Sequence, residues 1–310
     1  MKHNIKITSI LIGMFILTQL IGLFIISVYN DGLTLPYGME PPEEINTETS
    51  IFSILFAFMI AIILFFVLTK IKAEKFLRIW FFAVTTLAIA LTLNVILFKL
   101  NLFNIAIMPY IALGLALPLA FFKIIKRDIL IHNLTELMIY PGIASVFIPI
   151  LGVFGIIILL LIISLYDIWA VWKTSFMKKL AEYQMDKLKI FTGFFIPYAN
   201  KKQKTEIKKL KEKYTNKKSL TKALEKSKIK INLAILGGGD IVFPIITAGI
   251  FYITYGLLSS LIIILFSSLA LLFLFSYAKK SKYYPAMPFL TIGIYLGMIV
   301  SWILQYFRII

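Results

Sequence analysis

The apolar run Leu159–Trp169 (LLLIISLYDIW) contains one carboxylic acid, that of Asp167, and no basic residue. The apolar stretch around it extends over 152–172, close to the ~20 residues that an α-helix needs to cross ~30 Å of hydrocarbon. Comparable runs recur to the C-terminus, and 60% of the 310 residues are apolar while 15% are charged. Soluble domains have about 25% charged residues. The sequence therefore predicts an all-α polytopic membrane protein.

The apolar runs predict about nine transmembrane helices. Their expected bounds are 7–28, 51–69, 77–98, 103–122, 129–148, 152–172, 232–254, 257–278 and 287–307. The first run is longer than the core of a signal peptide, about 7–15 residues, and no Ala-x-Ala-like site follows it. Polar residues and Pro141 interrupt the fifth run, so we expect that helix to pack inside the bundle, where its backbone can find protein partners.

Basic residues alternate between loops. The loop 29–50 has five acids and no Lys or Arg, whereas Lys and Arg cluster at 70–78, 123–127 and 279–282. Basic loops face the cytoplasm in most membrane proteins. We therefore expect the N-terminus and the even-numbered loops to be cytoplasmic and the C-terminus to be outside.

The longest loop, 173–231, divides the chain into an N-terminal bundle of six transmembrane helices (1–172) and a C-terminal group of three (232–310). It has 18 Lys and five acids, which account for most of the formal charge of +17. Apolar residues at helical spacing in 175–189 predict an amphipathic helix on an anionic cytoplasmic leaflet. We expect the lysines to contact lipid, with nucleic-acid binding as the less favoured alternative.

Composition excludes several kinds of chemistry. The chain has no Cys and only two His, His3 and His132. Disulfides, thiol catalysis, thiolate or multi-His metal sites and the HExxH protease motif are therefore excluded. We expect neither a metal nor a cofactor.

Three acids lie within the predicted spans: Glu136, Asp167 and Asp240. A charged carboxylate at the bilayer centre costs at least ~2.5–3.5 kcal/mol, so such residues are usually functional. Glu136 lies near a span end beside His132, which favours a structural role.

Asp167 and Asp240 lie at similar depth on consecutive antiparallel spans. Two carboxylates a few Å apart share one proton, which suits general acid–base catalysis. A proton relay or a pair that joins two helices fits the same spacing, and the residues alone leave these alternatives open.

Three short motifs surround these acids. Tyr166-Asp167, Gly237-Gly238-Gly239-Asp240 and Pro285-Ala286-Met287 follow one another on the sixth and seventh predicted spans and at the start of the ninth. They resemble the YD, GxGD and PAL motifs of the presenilin and signal peptide peptidase family of intramembrane aspartyl proteases, in its microbial, archaeal-type branch. The span count and the long sixth loop are also similar to that family.

The resemblance implies a presenilin-like GxGD aspartyl protease fold with Asp167 and Asp240 as the catalytic pair. It also implies that the remaining motif residues form the active site or position the substrate: Tyr166, Gly237, Gly239, Pro285, Ala286 and Met287. Met287 stands where the family motif has Leu. The two side chains are close in volume, so we expect the corner to be retained.

The expected function is an intramembrane aspartic endopeptidase that cleaves transmembrane segments of single-span proteins or signal-peptide remnants. The predicted topology resembles that of presenilin and favours substrates whose N-terminus is outside. One alternative is a proton-coupled transporter, which predicts inverted repeats. Another is a membrane scaffold, in which loss of either aspartate would be harmless.

Two segments beside the acids are compatible with extended structure. Residues 228–236 begin with an alternation of period two, and 190–197 follow the sixth span. We hypothesise that they pair as strands with an unwound substrate. Proline at Ile231 would then impair cleavage without unfolding the protein.

Overall fold

The computed structural model describes residues 5–40, 73–126, 128–173, 190–198, 232–278 and 284–307, with isolated positions between 53 and 71 and at 203. Eight helices in this part are long and apolar enough to cross a membrane. They are α1 (Ile5–Asn30), α2 (Glu74–Leu100), α3 (Met108–Phe121, which reaches this length together with the π-helical turn that continues it to Lys126), α4 (Ile129–Phe147), α5 (Val153–Trp172), α6 (Gly238–Tyr255), α7 (Leu257–Tyr277) and α8 (Met287–Tyr306).

The helices match the predicted spans, with two differences in their bounds. The second predicted span, 51–69, and the amphipathic helix predicted at 175–189 lie mostly or wholly outside the described residues. The fourth predicted span begins later than expected, at Met108, and continues beyond α3 as a π-helical turn, Phe122–Lys126.

The seventh predicted span begins with a strand, so the helix starts at Gly238 and not at Asn232. Hydropathy cannot separate a short apolar strand from the first turns of a helix. The three consecutive glycines are poor helix formers, and they separate the strand from the helix.

A two-stranded antiparallel sheet is therefore present in addition to the predicted helices. Strand β1 (Gly193–Tyr198) pairs with β2 (Asn232–Gly237), with Gly193 opposite Gly237. Along β2, Ala234 and Leu236 are buried while Leu233 and Ile235 are exposed. One face of the sheet thus packs on the bundle and the other remains open.

Helix α6 is the centre of the bundle. It packs against α1, α4, α5, α7 and α8. Its inner side chains, including Ile241, Ile245 and Phe251, belong to the largest buried apolar cluster. Gly22 on α1 allows a close approach to α6, because a Cβ there would lie 2.5 Å from Cγ2 of Ile245. Packing from all sides fixes the position of the first turn of α6, which contains Asp240.

Candidate active site

Asp167 and Asp240 lie on two helices that pack against each other. Asp167 is near the C-terminal end of α5 and is 8% exposed, whereas Asp240 is partly buried in the first turn of α6. The two carboxyl groups interact electrostatically. Among the described residues, neither carboxylate forms a salt bridge. The structure therefore brings together the two acids that the sequence selected.

The start of α8 lies directly on Asp167. The backbone N–H of Met287 donates to Oδ2 of Asp167 at 3.0 Å, and the N–H of Ala286 is a further donor. The first N–H groups of a helix lack partners within the helix and attract negative charge. Pro288, in the first turn, loses no helical hydrogen bond there. The Pro285–Met287 corner thus binds Asp167 through the backbone.

Two hydroxyl groups hold α8 in this position. Oη of Tyr295 donates to the carbonyl oxygen of Ile157 at 2.6 Å, and Oγ1 of Thr291 lies 3.5 Å from that of Leu160. Thr291 and Tyr295 follow Met287 by four and eight residues, so all three lie on one face of α8. The sequence analysis missed this pair, although two hydroxyls at helical spacing in an apolar run were a usable signal.

Asp240 is supported by the strand that precedes it. Gly237 is extended, with φ −66° and ψ 150°, and it forms the boundary between β2 and α6. Its N–H donates to the Asp240 carboxylate. Both acids are therefore stabilised by backbone N–H groups at a helix N-terminus.

Of the three glycines before Asp240, the one with the least space is Gly238, which the sequence analysis did not single out. A Cβ at Gly238 would lie 2.9 Å from Oη of the buried Tyr140, whereas Gly239 has only Cε2 of Phe243 at 3.8 Å. None of the three glycines uses a positive φ. Gly239 is exposed, and the space around its Cα atom is largely free of other atoms.

The other predicted site residues surround Asp167. Tyr166 is partly buried, with its ring 6.3 Å from that of Trp169. Pro285 and Met287 are buried and Ala286 is partly buried. The Met287 side chain belongs to the main apolar cluster, so its contribution to Asp167 comes from its N–H.

A second buried polar cluster lies on α4 and was only partly expected. Lys123, from the π-helical turn, forms an ion pair with Glu136, and both side chains are almost fully buried. Nζ of Lys123 is also 3.3 Å from Nδ1 of His132, whose Nε2 is 2.9 Å from the carbonyl oxygen of Gly193 in β1. The structural role favoured for Glu136 agrees with this pairing. Lys123 was missed because it appears in the sequence as a basic loop residue.

One residue further along α4, Asn133 contacts the same strand. Its Nδ2 donates to the carbonyl oxygen of Phe195 at 3.0 Å, and the Phe195 N–H donates back to Oδ1 at 3.2 Å. Together with His132, Asn133 fixes β1 to α4. Tyr140, two turns along the same helix, lies against Gly238, so α4 contacts both the sheet and the first residue of α6, two positions before Asp240.

The chain matches the sequence model described as "Signal-peptide peptidase, presenilin aspartyl protease" over residues 12–307. A comparison with curated proteins found no match. Two solved structures of a presenilin family intramembrane aspartate protease, in space groups C222 and P2, are similar to it, each with 16% sequence identity. The first has a TM-score of 0.60 over 96% of this chain and 99% of that one, and the second 0.58 over 95% and 96%. At this identity, the similarity shows the fold.

Proposed function

The chain belongs to the signal-peptide peptidase and presenilin family of aspartyl proteases and is an intramembrane protease, and we propose that Asp167 and Asp240 are its catalytic pair. The observation that carries this proposal is that the two acids lie on helices that pack against each other, α5 and α6, where their carboxyl groups interact electrostatically. Each also accepts hydrogen bonds from backbone N–H groups, which stabilise charge without a competing lysine or arginine.

The pair acts by general acid–base catalysis. The ionised carboxylate takes a proton from a water molecule, which attacks the carbonyl carbon of the scissile peptide bond, and the protonated carboxyl donates to the carbonyl oxygen. When the tetrahedral intermediate breaks down, the leaving nitrogen takes the proton that the first carboxylate received from water, and the second carboxylate takes a proton back from a hydroxyl group of the intermediate. The bond between carbon and nitrogen breaks, and the products are a carboxylic acid and an amine.

The edge of β2 is the surface on which we place the substrate backbone. Because the N–H and C=O of Phe195 bond to Asn133, the pair of Phe195 and Ile235 is a non-hydrogen-bonded pair of the β1–β2 ladder. The N–H and C=O of Ile235, and those of Leu233 two residues before, therefore point away from β1. A locally unwound substrate helix can bond to these groups as an added strand.

Gly237 continues the same alternation, and its outward N–H bonds to Asp240. A substrate strand that pairs with Leu233 and Ile235 therefore continues along β2 toward Gly237, and this brings its scissile peptide bond close to the catalytic pair. This supports single-span proteins or signal-peptide remnants as the substrates, since one unpaired helix can be unwound against the sheet.

We also propose an orientation. Basic loops place the N-terminus and the loop 173–231 in the cytoplasm and the C-terminus outside. Substrates with their N-terminus outside would then cross the membrane in the direction that we expect the catalytic pair to accept. Because the chain has no native Cys, Thr34→Cys should react with an impermeant maleimide in intact cells, and Lys6→Cys only after permeabilisation.

The deciding experiment is cleavage of a tagged single-span protein by the purified chain in liposomes, with mass spectrometry of the products. Asp167→Asn and Asp240→Asn should each reduce the rate by at least about 10³-fold, because each removes one half of the acid–base exchange. The matched control is Asp128→Asn. Asp128 caps α4 through the N–H groups of Leu130 and Ile131, and asparagine caps equally well.

Undiminished cleavage by either variant of the pair would contradict the assignment. If the unmodified protein cleaves no substrate but conducts protons in a manner that either substitution abolishes, the proton-relay alternative is correct.

A further inference from the structure

The outer edge of β1, opposite the side that pairs with β2, is already occupied. His132 bonds to the carbonyl oxygen of Gly193, and Asn133 satisfies both the N–H and the C=O of Phe195. The next outward residue is Pro197, which has no N–H to offer. Successive outward positions of β1 are thus closed to another strand, two by side chains of α4 and one by a missing donor.

The His132 contact is held by a buried charge pair. Nε2 must carry the proton that is donated to Gly193, so Nδ1 accepts from Nζ of Lys123, and the network assigns a neutral imidazole to His132. Lys123 is in turn paired with Glu136 one helical turn along α4. A buried ion pair that loses one partner is left with an uncompensated charge. The ring of His132 is therefore fixed in one tautomer and one orientation.

In the part of the chain that the structure describes, no side chain covers the matching edge of β2. The outward N–H and C=O groups of Leu233 and Ile235 have no hydrogen-bond partner among these residues, whereas those of Phe195 in β1 both bond to Asn133. The outer edge of β1 is therefore hydrogen-bonded to α4, and the outer edge of β2 is open. An open edge can pair with any extended chain. Closing the outer edge of β1 therefore leaves the edge of β2 as the place where a substrate strand can join this sheet.

Anchoring β1 also fixes the distance to the catalytic pair. Gly193 has φ +125°, and a Cβ there would lie 2.2 Å from the carbonyl oxygen of Leu236. It lies opposite Gly237, whose N–H bonds to Asp240. Contacts therefore run from His132 through Gly193 and Gly237 to Asp240.

We propose that Asn133 and His132, held by Lys123 and Glu136, are positioning residues that close the outer edge of β1, so that a substrate strand pairs only with β2 and in one register relative to Asp240. The proposal rests on the proposed function and adds to it the means by which the edge and the register are selected. The four side chains do not touch the substrate. They act through β1.

The first test is the position of the cut. Asn133→Leu removes both hydrogen bonds to Phe195 at similar volume, and Thr135→Val is the matched control, since the buried Thr135 hydroxyl bonds only to carbonyl groups of its own helix. For Asn133→Leu we expect products shifted by two residues, the smallest slip that keeps side chains on their faces. KM should rise about tenfold, the effect of about 1.4 kcal/mol in binding, with little change in kcat. Thr135→Val should keep the native cut and KM.

The second test leaves Asn133, His132, Lys123 and Glu136 unchanged and needs no variant of α4. Pro197→Cys adds an N–H to the β1 edge, so the variant itself can only favour pairing with β1. Pro197 and Leu233 lie opposite each other and are both exposed, so Pro197→Cys and Leu233→Cys, each in an Asp240→Asn chain, sample the two strands. A single-span substrate with one Cys beside its cleavage site should form at least about tenfold more disulfide with position 233, because a strand on β2 lies ~4.8 Å from it and twice as far from β1.

The outcomes separate the two proposals. Equal or greater trapping at position 197 would overturn the closed edge, and so would unchanged cleavage sites and KM in a folded Asn133→Leu variant. Neither result would bear on the assignment of Asp167 and Asp240 as the catalytic pair. That assignment would be contradicted by cleavage in Asp167→Asn or Asp240→Asn.

Discussion

The backbone N–H of Met287 donates a hydrogen bond to Oδ2 of Asp167 at 3.0 Å, across 120 positions of sequence. Met287, which stands where the PAL motif has Leu, therefore supports Asp167 through its backbone N–H. Every residue except proline has this donor. Its side chain is buried in the main apolar cluster and fills space behind the corner. Exchange of Leu for Met alters the packing and leaves the donor in place.

Met287→Leu should therefore keep kcat within about twofold of the native value, since the swap conserves volume and costs less than about 1.5 kcal/mol. Met287→Ala should lower the melting temperature, because truncation of a buried Met costs about 2–5 kcal/mol. Its kcat, measured well below the melting temperature, should fall much less than that of Asp167→Asn. A loss of kcat in Met287→Leu comparable to that of the aspartate variant would show that the side chain itself contacts the reacting groups.

Tyr295→Phe should weaken the attachment of α8 to α5. It removes the donor to the carbonyl oxygen of Ile157, which contributes about 1 kcal/mol. We expect a lower melting temperature and a lower kcat, because the Met287 N–H is then held less firmly against Asp167.

Ser301→Ala is the control on the same helix. Oγ of Ser301 is buried and has no hydrogen-bond partner among the described residues, so its removal should be neutral or stabilising. Equal effects of the Tyr295 and Ser301 variants on kcat would contradict the role given to Tyr295.

Gly238→Ala and Gly239→Ala should behave differently although the residues are adjacent. A Cβ at Gly238 meets the buried ring of Tyr140, and overpacking of this kind costs about 1–3 kcal/mol. We expect a lower melting temperature and reduced cleavage.

At Gly239 a Cβ meets no atom closer than 3.8 Å, so the melting temperature should be unchanged or higher. A higher KM for Gly239→Ala would show that the substrate backbone approaches this exposed position. Thermal unfolding and steady-state kinetics of the two variants make the comparison, and a stable Gly238→Ala variant would contradict the packing argument.

Leu233→Pro should raise KM by about tenfold, as expected for ~1.4 kcal/mol of lost binding, while the protein stays folded. The N–H of Leu233 points away from β1, so proline there removes only a donor for the substrate, as Pro197 does on the opposite strand. This position replaces Ile231, which lies outside the described residues.

Two controls accompany it. Leu233→Ala keeps the N–H and should have a KM near the native value. Ala234→Pro removes an N–H that points toward β1 and should disrupt the sheet, with loss of both stability and cleavage. Equal KM values for Leu233→Pro and Leu233→Ala would exclude β2 as the substrate edge.

The sequence alone determined the membrane class, most helix bounds and the two candidate acids. Apolar runs are long because the bilayer is thick, and a lone carboxylate within such a run is costly unless it has a function. Both signals are local and need no knowledge of packing. The motifs around Asp167 and Asp240 were recognised by their resemblance to those of a known family, which also uses only short stretches of sequence.

Only the tertiary structure decided how those acids are supported. The tight contact of Gly238 with Tyr140 and the pairing of β1 with β2 join segments far apart in the chain, and the ion pair of Lys123 and Glu136 joins the π-helical turn to the next helix. The Met287 contact uses a backbone N–H, which no side-chain pattern encodes. Which edge of the sheet is open depends on the phase of its ladder and on the α4 side chains that face it. These features are fixed by how the helices pack, because a hydrogen bond requires two atoms to meet within about 3 Å.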